Sequence, residues 1–456
     1  MLKKLKGKLA ISSTRKNILK LSSGTGIGFI ISLVTLPIIT RIYGAEIIGI
    51  WALFTSMAII INALSDLGLT NTIMVEDEDD VERNYKIITT ISAISSIVIS
   101  SLVTLFYFLY FNSIDMNIIF FYFTLVIIVF TTQQIQICYT WLNRKNNYNV
   151  LMKNPLINNS LNGLLSIVFG FFGFITYGYF IANMIGQVVT LIHMKRNLPR
   201  GMFSFNYKDF IEVINVNKKF VVYQTPTNIL GTIKSQLPIL LIQMFWGTQM
   251  VGYYSISIRL LQMPSSLLGS AIGRIFFQTT SSMKREDKPI GQYVYNNIRR
   301  IMNIAILPIA MLISLGDIII IVFLGPEWEV AGNLVRILAL YFFFGFIITS
   351  TRGLAITLDR QNYTMIFTLV QLFISAVSLS MGKFIFDNIY HSFVLMAILF
   401  ILVTIIFFCT LFKVMKISWK KYVRNVLFNL ILLLIIATIL RVSLKVMGII
   451  DLIYKY

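Results

Sequence analysis

The sequence predicts an all-α polytopic membrane protein built from two parallel-related six-helix bundles plus one or two extra C-terminal helices. Three observations carry that prediction. First, the 456 residues are 57% hydrophobic and only 13% charged, about half the charge content of a soluble domain. With a mean hydropathy of +0.78, so few charges cannot coat a soluble protein of this size. Second, the apolar residues gather into stretches of bilayer-spanning length. Third, a pattern near the start of the chain returns near its middle. An ordinary soluble enzyme and a disordered chain are excluded. The formal charge of +20 is not read as a nucleic-acid signature, because that would need basic clusters on polar segments.

About 20 apolar residues cross a bilayer as a helix. On that measure the spans are 21–42, 46–72, 87–110, 117–140, 154–175, 176–194, 219–244, 249–277, 300–324, 330–357, 362–381 and 390–412. A further apolar run, 425–448, is either one span or part of a short hairpin with 449–456. The basic start, Met1 to Lys20, leads into a full-length span without a short apolar core or small-residue cleavage site, so no cleaved signal peptide is expected. Orientation follows from the bases. With the N-terminus inside, 29 of the 39 Lys and Arg residues fall in inner segments, while the outer loops of the first twelve spans hold only Arg41 and Lys383. The expected organisation is an N-terminal bundle (1–195), a cytoplasmic interfacial linker (196–218), a C-terminal bundle (219–412), and a basic linker with an extra membrane helix or hairpin (413–456). Phe203, Phe205, Tyr207, Phe210, Ile211 and Ile214, set among Lys and Asn, suit an interfacial helix in the linker.

The repeat joins the first two spans of each half. Leu36-Pro37-Ile38 precedes Ile42-Tyr43-Gly44-Ala45-Glu46-Ile47-Ile48-Gly49-Ile50-Trp51, and Leu237-Pro238-Ile239 precedes Phe245-Trp246-Gly247-Thr248-Gln249-Met250-Val251-Gly252-Tyr253-Tyr254. Both copies sit at the outer side, so the halves are parallel repeats, an arrangement typical of transporters with a central cavity.

Charges inside the spans point to the cargo. A charge near the bilayer centre costs roughly 2.5–3.5 kcal/mol on insertion scales, so it tends to face a polar cavity. Lys234 and Arg259 lie near mid-depth of spans seven and eight, Arg274 and Arg352 towards the inner ends of spans eight and ten, and Arg336 near the outer end of span ten. Arg259 and Arg274 fall about 60° apart around a regular helix, so one broad face holds both. Asp66, Asp317 and Asp359 lie near span ends. The mid-depth charge is therefore positive, which suits an anionic, phosphate-bearing substrate. Asp66 either caps a helix end or accepts a proton, and snorkelling is the competing reading for Arg274, Arg336 and Arg352.

Other patterns carry less. Gly24-Thr25-Gly26-Ile27-Gly28 lacks the strand that a dinucleotide loop needs; Gly24-x3-Gly28 and Gly269-x3-Gly273 read as close helix contacts. Glu76-Asp77-Glu78-Asp79-Asp80 reads as a solvated acidic loop. Cys138 and Cys409 lie in apolar stretches, and His193 and His391 lack partners at metal-ligand spacing, so no metal or other cofactor is expected.

Leu36-Pro37-Ile38-Ile39-Thr40-Arg41-Ile42-Tyr43-Gly44, Gly49, Trp51 and Ser65-Asp66-Leu67-Gly68-Leu69 resemble the opening of oligosaccharide flippases of the Wzx type. Val251-Gly252-Tyr253-Tyr254-Ser255, Arg259-Leu260-Leu261 and Pro264 resemble the start of their second half; Phe323-Leu324-Gly325-Pro326-Glu327-Trp328 and Gly353-Leu354-Ala355-Ile356-Thr357-Leu358-Asp359-Arg360 resemble later segments. The resemblance implies the multidrug/oligosaccharidyl-lipid/polysaccharide exporter superfamily and its V-shaped pair of six-helix bundles. It implies a non-enzymatic flippase in the bacterial cytoplasmic membrane. The cargo would be an undecaprenyl-diphosphate-linked glycan moved to the outer leaflet for O-antigen, capsule or a related polymer. Arg41, Lys234, Arg259, Arg274 and Arg352 would line a cationic lumen; only Arg41 and Arg259 lie within the matched motifs, and the others rest on the charge argument. Asp66 and Asp359 are the candidate ion-coupling acids. The expected partners are the lipid-linked glycan, the bilayer and the polysaccharide polymerase machinery, with no nucleic acid, and a monomer is expected. A drug or cation exporter, a lipid II flippase of the same fold and a membrane glycosyltransferase or polymerase are the alternatives.

Overall fold

The structure is a computed structural model that describes residues 2–448 apart from 75–76, 112–115, Arg200, Met202, Phe205 and Lys219. The expectations placed on Glu76, Arg200, Phe205, Lys219 and 449–456 therefore lie outside the described residues. Among the described residues there are helices and no strands. In order these are α1 (Leu2–Ser65), α2 (Glu78–Phe111), α3 (Met116–Arg144), α4 (Tyr148–Phe171), α5 (Ile175–Lys195), α6 (Tyr207–Val216), α7 (Thr225–Trp246), α8 (Thr248–Pro264), α9 (Ser270–Arg285), α10 (Gly291–Leu324), α11 (Glu329–Ser350), α12 (Leu354–Thr357), α13 (Gln361–Phe384), α14 (Ile389–Val414) and α15 (Trp419–Val446).

Ten helical stretches among the described residues are long and apolar enough to cross a membrane. Ser23–Ser65, at 43 residues, is about 65 Å long, twice the hydrocarbon thickness, and so holds two crossings. They meet at Gly44, whose φ of 67° and ψ of 177° belong to a region essentially reserved for glycine. Gly247, between α7 and α8, has φ 84° and ψ 179°. The two glycines that the repeat aligns thus share one unusual backbone conformation. The second span is shorter than expected: α1 stops at Ser65 rather than 72, and Leu69–Met74 winds as a 3-10 turn. Asp66 causes the change, because its carboxylate accepts from the Thr70 amide at 3.3 Å and from the Thr70 hydroxyl, which competes with helix continuation.

The chain divides into two compact units, Met1–Ile47 with Trp51–Gln236, and Ile48–Ile50 with Leu237–Tyr456. In the first, α4 packs along α5, and α3 packs on α2 and α5. Gly24 and Gly28 of α1 abut Met152 and Pro155 of α4 so closely that a Cβ at Gly24 would sit 2.2 Å from the Met152 carbonyl oxygen, in keeping with the close-contact reading. One end is closed by Leu69, Ile73, Tyr85, Ile88, Ile137 and Trp141 around Val213 of α6. Asn206 caps α6 by accepting from the Lys208 amide at 3.2 Å. Glu78 to Asp80 open α2, so the acidic run sits where the helix dipole favours negative charge; Asp80 and Glu82 also pair with Arg83 and Lys86.

In the second unit α10 packs on α11 and α15, and α13 packs on α14. Rings fill the gaps: Tyr341 stacks on Phe400 at 4.0 Å between centroids, and Tyr254 on Phe393 at 5.3 Å. The span expected at 249–277 is interrupted, because a π turn over Ser265–Gly269 separates α8 from α9. The run at 425–448 forms the single helix α15.

Candidate cationic cleft

Beyond the π turn, Gly273 brings α9 against α11, where a Cβ would lie 2.5 Å from the Thr349 carbonyl oxygen and 3.7 Å from the Arg352 Cβ. Arg352 therefore emerges beside Arg274, although 78 residues separate them in the chain. After α11 the backbone turns through Gly353 at φ 91°, where a Cβ would meet Phe277 at 2.3 Å. The turn lets α12 lie along α9, and the hydroxyls of Thr280 and Thr357 approach to 3.4 Å.

These contacts enclose a cleft of about 570 Å³ lined by Arg274, Phe277, Gln278, Ser281, Lys284, Arg285, Ile356 and Thr357. Three cations thus project into one opening with an amide and two hydroxyls. Lys284 pairs with Asp359; among the described residues no carboxylate pairs with Arg274 or Arg285. In the adjoining loop, hydrogen bonds from Lys288 and Ser282 hold the Glu286 carboxyl below the usual carboxylate range. A guanidinium offers a planar fork of N–H donors that matches phosphate oxygens two at a time, and an ammonium adds a point charge. The arrangement is fit to bind a phosphate or diphosphate.

The sequence singled out Arg274 and Arg352 at this place but assigned Lys284 and Arg285 only to topology, because in a one-dimensional reading they are loop bases. Arg41 is exposed on α1 and belongs to the first unit, as does Lys234, half-buried on α7. Arg259, half-buried on α8, belongs to the second unit, fifteen residues before Arg274. Of the two candidate coupling acids, Asp66 is half-buried and also accepts from Gln133 at 3.1 Å, whereas the Asp359 side chain is 77% exposed in its pair with Lys284. Among the described residues no three metal-ligating side chains gather.

The fold is similar to that of a lipid II flippase, MurJ, in an inward closed conformation, with a TM-score of 0.72, 14% identity, and coverage of 95% of this chain and 99% of that one. It is also similar to an inward-facing multidrug resistance MATE family transporter of the MOP superfamily (TM-score 0.59, 12% identity, 89% and 99% coverage). A MATE structure in complex with MaL6 follows with a TM-score of 0.54 at 14% identity, covering 89% of this chain and 97% of that one. No curated protein matches the chain by sequence. The family described as "Polysaccharide biosynthesis protein" matches residues 38–333. The fold is thus one that a lipid II flippase and MATE transporters share. By the family match the chain belongs to the polysaccharide biosynthesis protein family.

Proposed function

We propose that the protein flips an undecaprenyl-diphosphate-linked oligosaccharide from the cytoplasmic to the outer leaflet of a bacterial cytoplasmic membrane, with its N-terminus inside. The observation that carries this reading is the cleft in which Arg274, Lys284 and Arg285 meet, with Arg352 alongside. Those bases lie at the end of the second unit where the sequence places the cytoplasm. There the diphosphate is loaded onto two guanidiniums and an ammonium, exchanging its water for charge-assisted hydrogen bonds. Arg259, deeper in the spans of the second unit, passes the charge onward, and Lys234 and Arg41 of the first unit are further substrate-binding bases. Alternating access by a monomer moves the site across, and the polymerase machinery takes up the product.

Of the two acids, Asp66 is the better placed for ion coupling. Asp66→Asn keeps an acceptor for Thr70 but removes the ionisable group, and should uncouple flipping from an imposed proton or sodium gradient; Asp359→Asn should leave the coupling unchanged.

The test is reconstituted flipping of a fluorescent lipid-linked glycan, with lipid II as the competing cargo. Arg274→Glu, Lys234→Glu and Arg259→Glu should each abolish flipping and surface polymer at normal protein level. Full activity in all three would overturn the cationic-path reading, and faster movement of lipid II would overturn the substrate.

A further inference from the structure

The second unit carries another cationic cavity, which the cycle above leaves without a role. On α10 the Asp317 side chain is fully buried. Its carboxylate accepts on both oxygens from Arg441 of α15, Nη1 to Oδ1 at 2.9 Å and Nη2 to Oδ2 at 2.7 Å. Arg336 of α11 makes one longer contact, Nη1 to Oδ2 at 3.3 Å, and its Nε donates to the Ile313 carbonyl at 3.0 Å. The carboxylate is thus committed mainly to Arg441, and Arg336 keeps much of its charge for other partners. Its side chain is 33% exposed. It lines a cavity of about 480 Å³ with Ile313, Asn333, Ile337 and Tyr390. Tyr390 and Asn333 share the lining, and Glu329, one turn before Asn333, lies outside it. The cavity therefore offers a guanidinium, an amide and a phenolic hydroxyl between apolar walls, a donor set for an oxyanion.

Its position adds to the argument. Asp317 lies 26 residues after Gly291, the first residue of α10, about 39 Å along the helix at 1.5 Å per residue. The Arg274 cleft ends with Arg285, just before α10 begins. The two cationic openings therefore lie towards opposite ends of one bundle.

We infer that this second cavity binds the phosphate group of a lipid, anchored by Arg336 with Asn333 and Tyr390 as further donors. Its use as an unloading station rests on the flippase reading; the binding itself does not. The phosphate belongs either to a bilayer phospholipid or to the lipid diphosphate being carried.

Native mass spectrometry of the purified full chain tests this with dihexanoyl-phosphatidylglycerol and farnesyl diphosphate as probes and dihexanoylglycerol as the phosphate-free control. Phosphate-bearing probes should bind and the control should not. Arg336→Gln should weaken one binding event at least tenfold. Asn333→Asp sets a carboxylate one turn from Arg336, leaves the Asp317–Arg441 pair in place, and should abolish the same event in a fully folded protein. Arg274→Gln should remove a different event. Preference for farnesyl diphosphate assigns the cavity to the cargo, and preference for phosphatidylglycerol assigns it to bilayer lipid. Binding as in wild type in both Arg336→Gln and Asn333→Asp overturns the site, as does equal binding of dihexanoylglycerol. If the reconstituted wild-type protein flips no lipid-linked glycan while the Arg336 event persists, the flippase reading falls and this site stands.

Discussion

Asp317 shows how much of a membrane protein's stability can hang on one side chain. Its carboxylate is the common acceptor for bases on α11 and α15, and an ion buried in apolar surroundings tolerates the loss of its partner poorly. Asp317→Asn or Arg441→Met should each destabilise the second unit by about 3–5 kcal/mol, visible as a lowered midpoint in thermal unfolding in detergent. Combining Asp317→Leu with Arg441→Met removes both charges of the close pair and should recover more than half of that loss. The sequence did not reveal this pair. Arg441 reads there as one more base of the C-terminal tail, and 124 residues separate it from its acid. Asp66 was more legible, because an acid in Ser65-Asp66-Leu67-Gly68 has a local partner in Thr70 and needs no fold to find it. Gly353 is the residue on which the cleft wall depends. Gly353→Ala forces a Cβ into Phe277 and strains a φ of 91°, so flipping should fall at least several-fold with the protein still inserted.

Among the elements, the interrupted eighth span decides most. Read as one regular helix, it sets Arg259 and Arg274 about 60° apart. The π turn at Ser265–Gly269 takes up one extra residue, leaving fourteen ordinary steps and a separation of about 40° in the opposite sense. One face holds both bases with or without the turn. Deleting Ser265 should remove the extra residue and restore a continuous helix with the same fourteen steps, so the two bases should stay about 40° apart and flipping should survive at normal protein abundance. The linker helix α6 makes a smaller claim: Asn206→Ala removes its cap and should cost about 1 kcal/mol in unfolding measurements. Element ends were legible where apolar length sets them, as in α14, found at Ile389–Val414 against an expected 390–412. They were not legible where a side chain or a π turn interrupts the helix, since neither changes the mean hydropathy of a window.

For the molecule as a whole, the proposed function divides the +20 of the composition between topology and cargo. Most bases flank helices, where they cost little and set orientation; a few lie at depths where charge is expensive. The hydrophobic pattern made the fold class readable from the sequence, because it is a property of long stretches. The cleft was only half readable: Arg274 and Arg352 stood out as bases within spans, whereas Lys284 and Arg285 acquire their role from the turn of α12 onto α9. With the twelve crossings that the sequence predicts before it, the single helix α15 should place residue Gly448 opposite the N-terminus. A cysteine at that position should react with an impermeant maleimide in intact cells, and one in the 413–418 loop should not. The paired turns at Gly44 and Gly247 lead further. Two glycines in the same rare conformation, inside the same flanking pattern, make the first helix–helix turn of each half structurally equivalent. The halves differ in charge. Where the second carries Arg259, the first carries Ser56, buried in its own half.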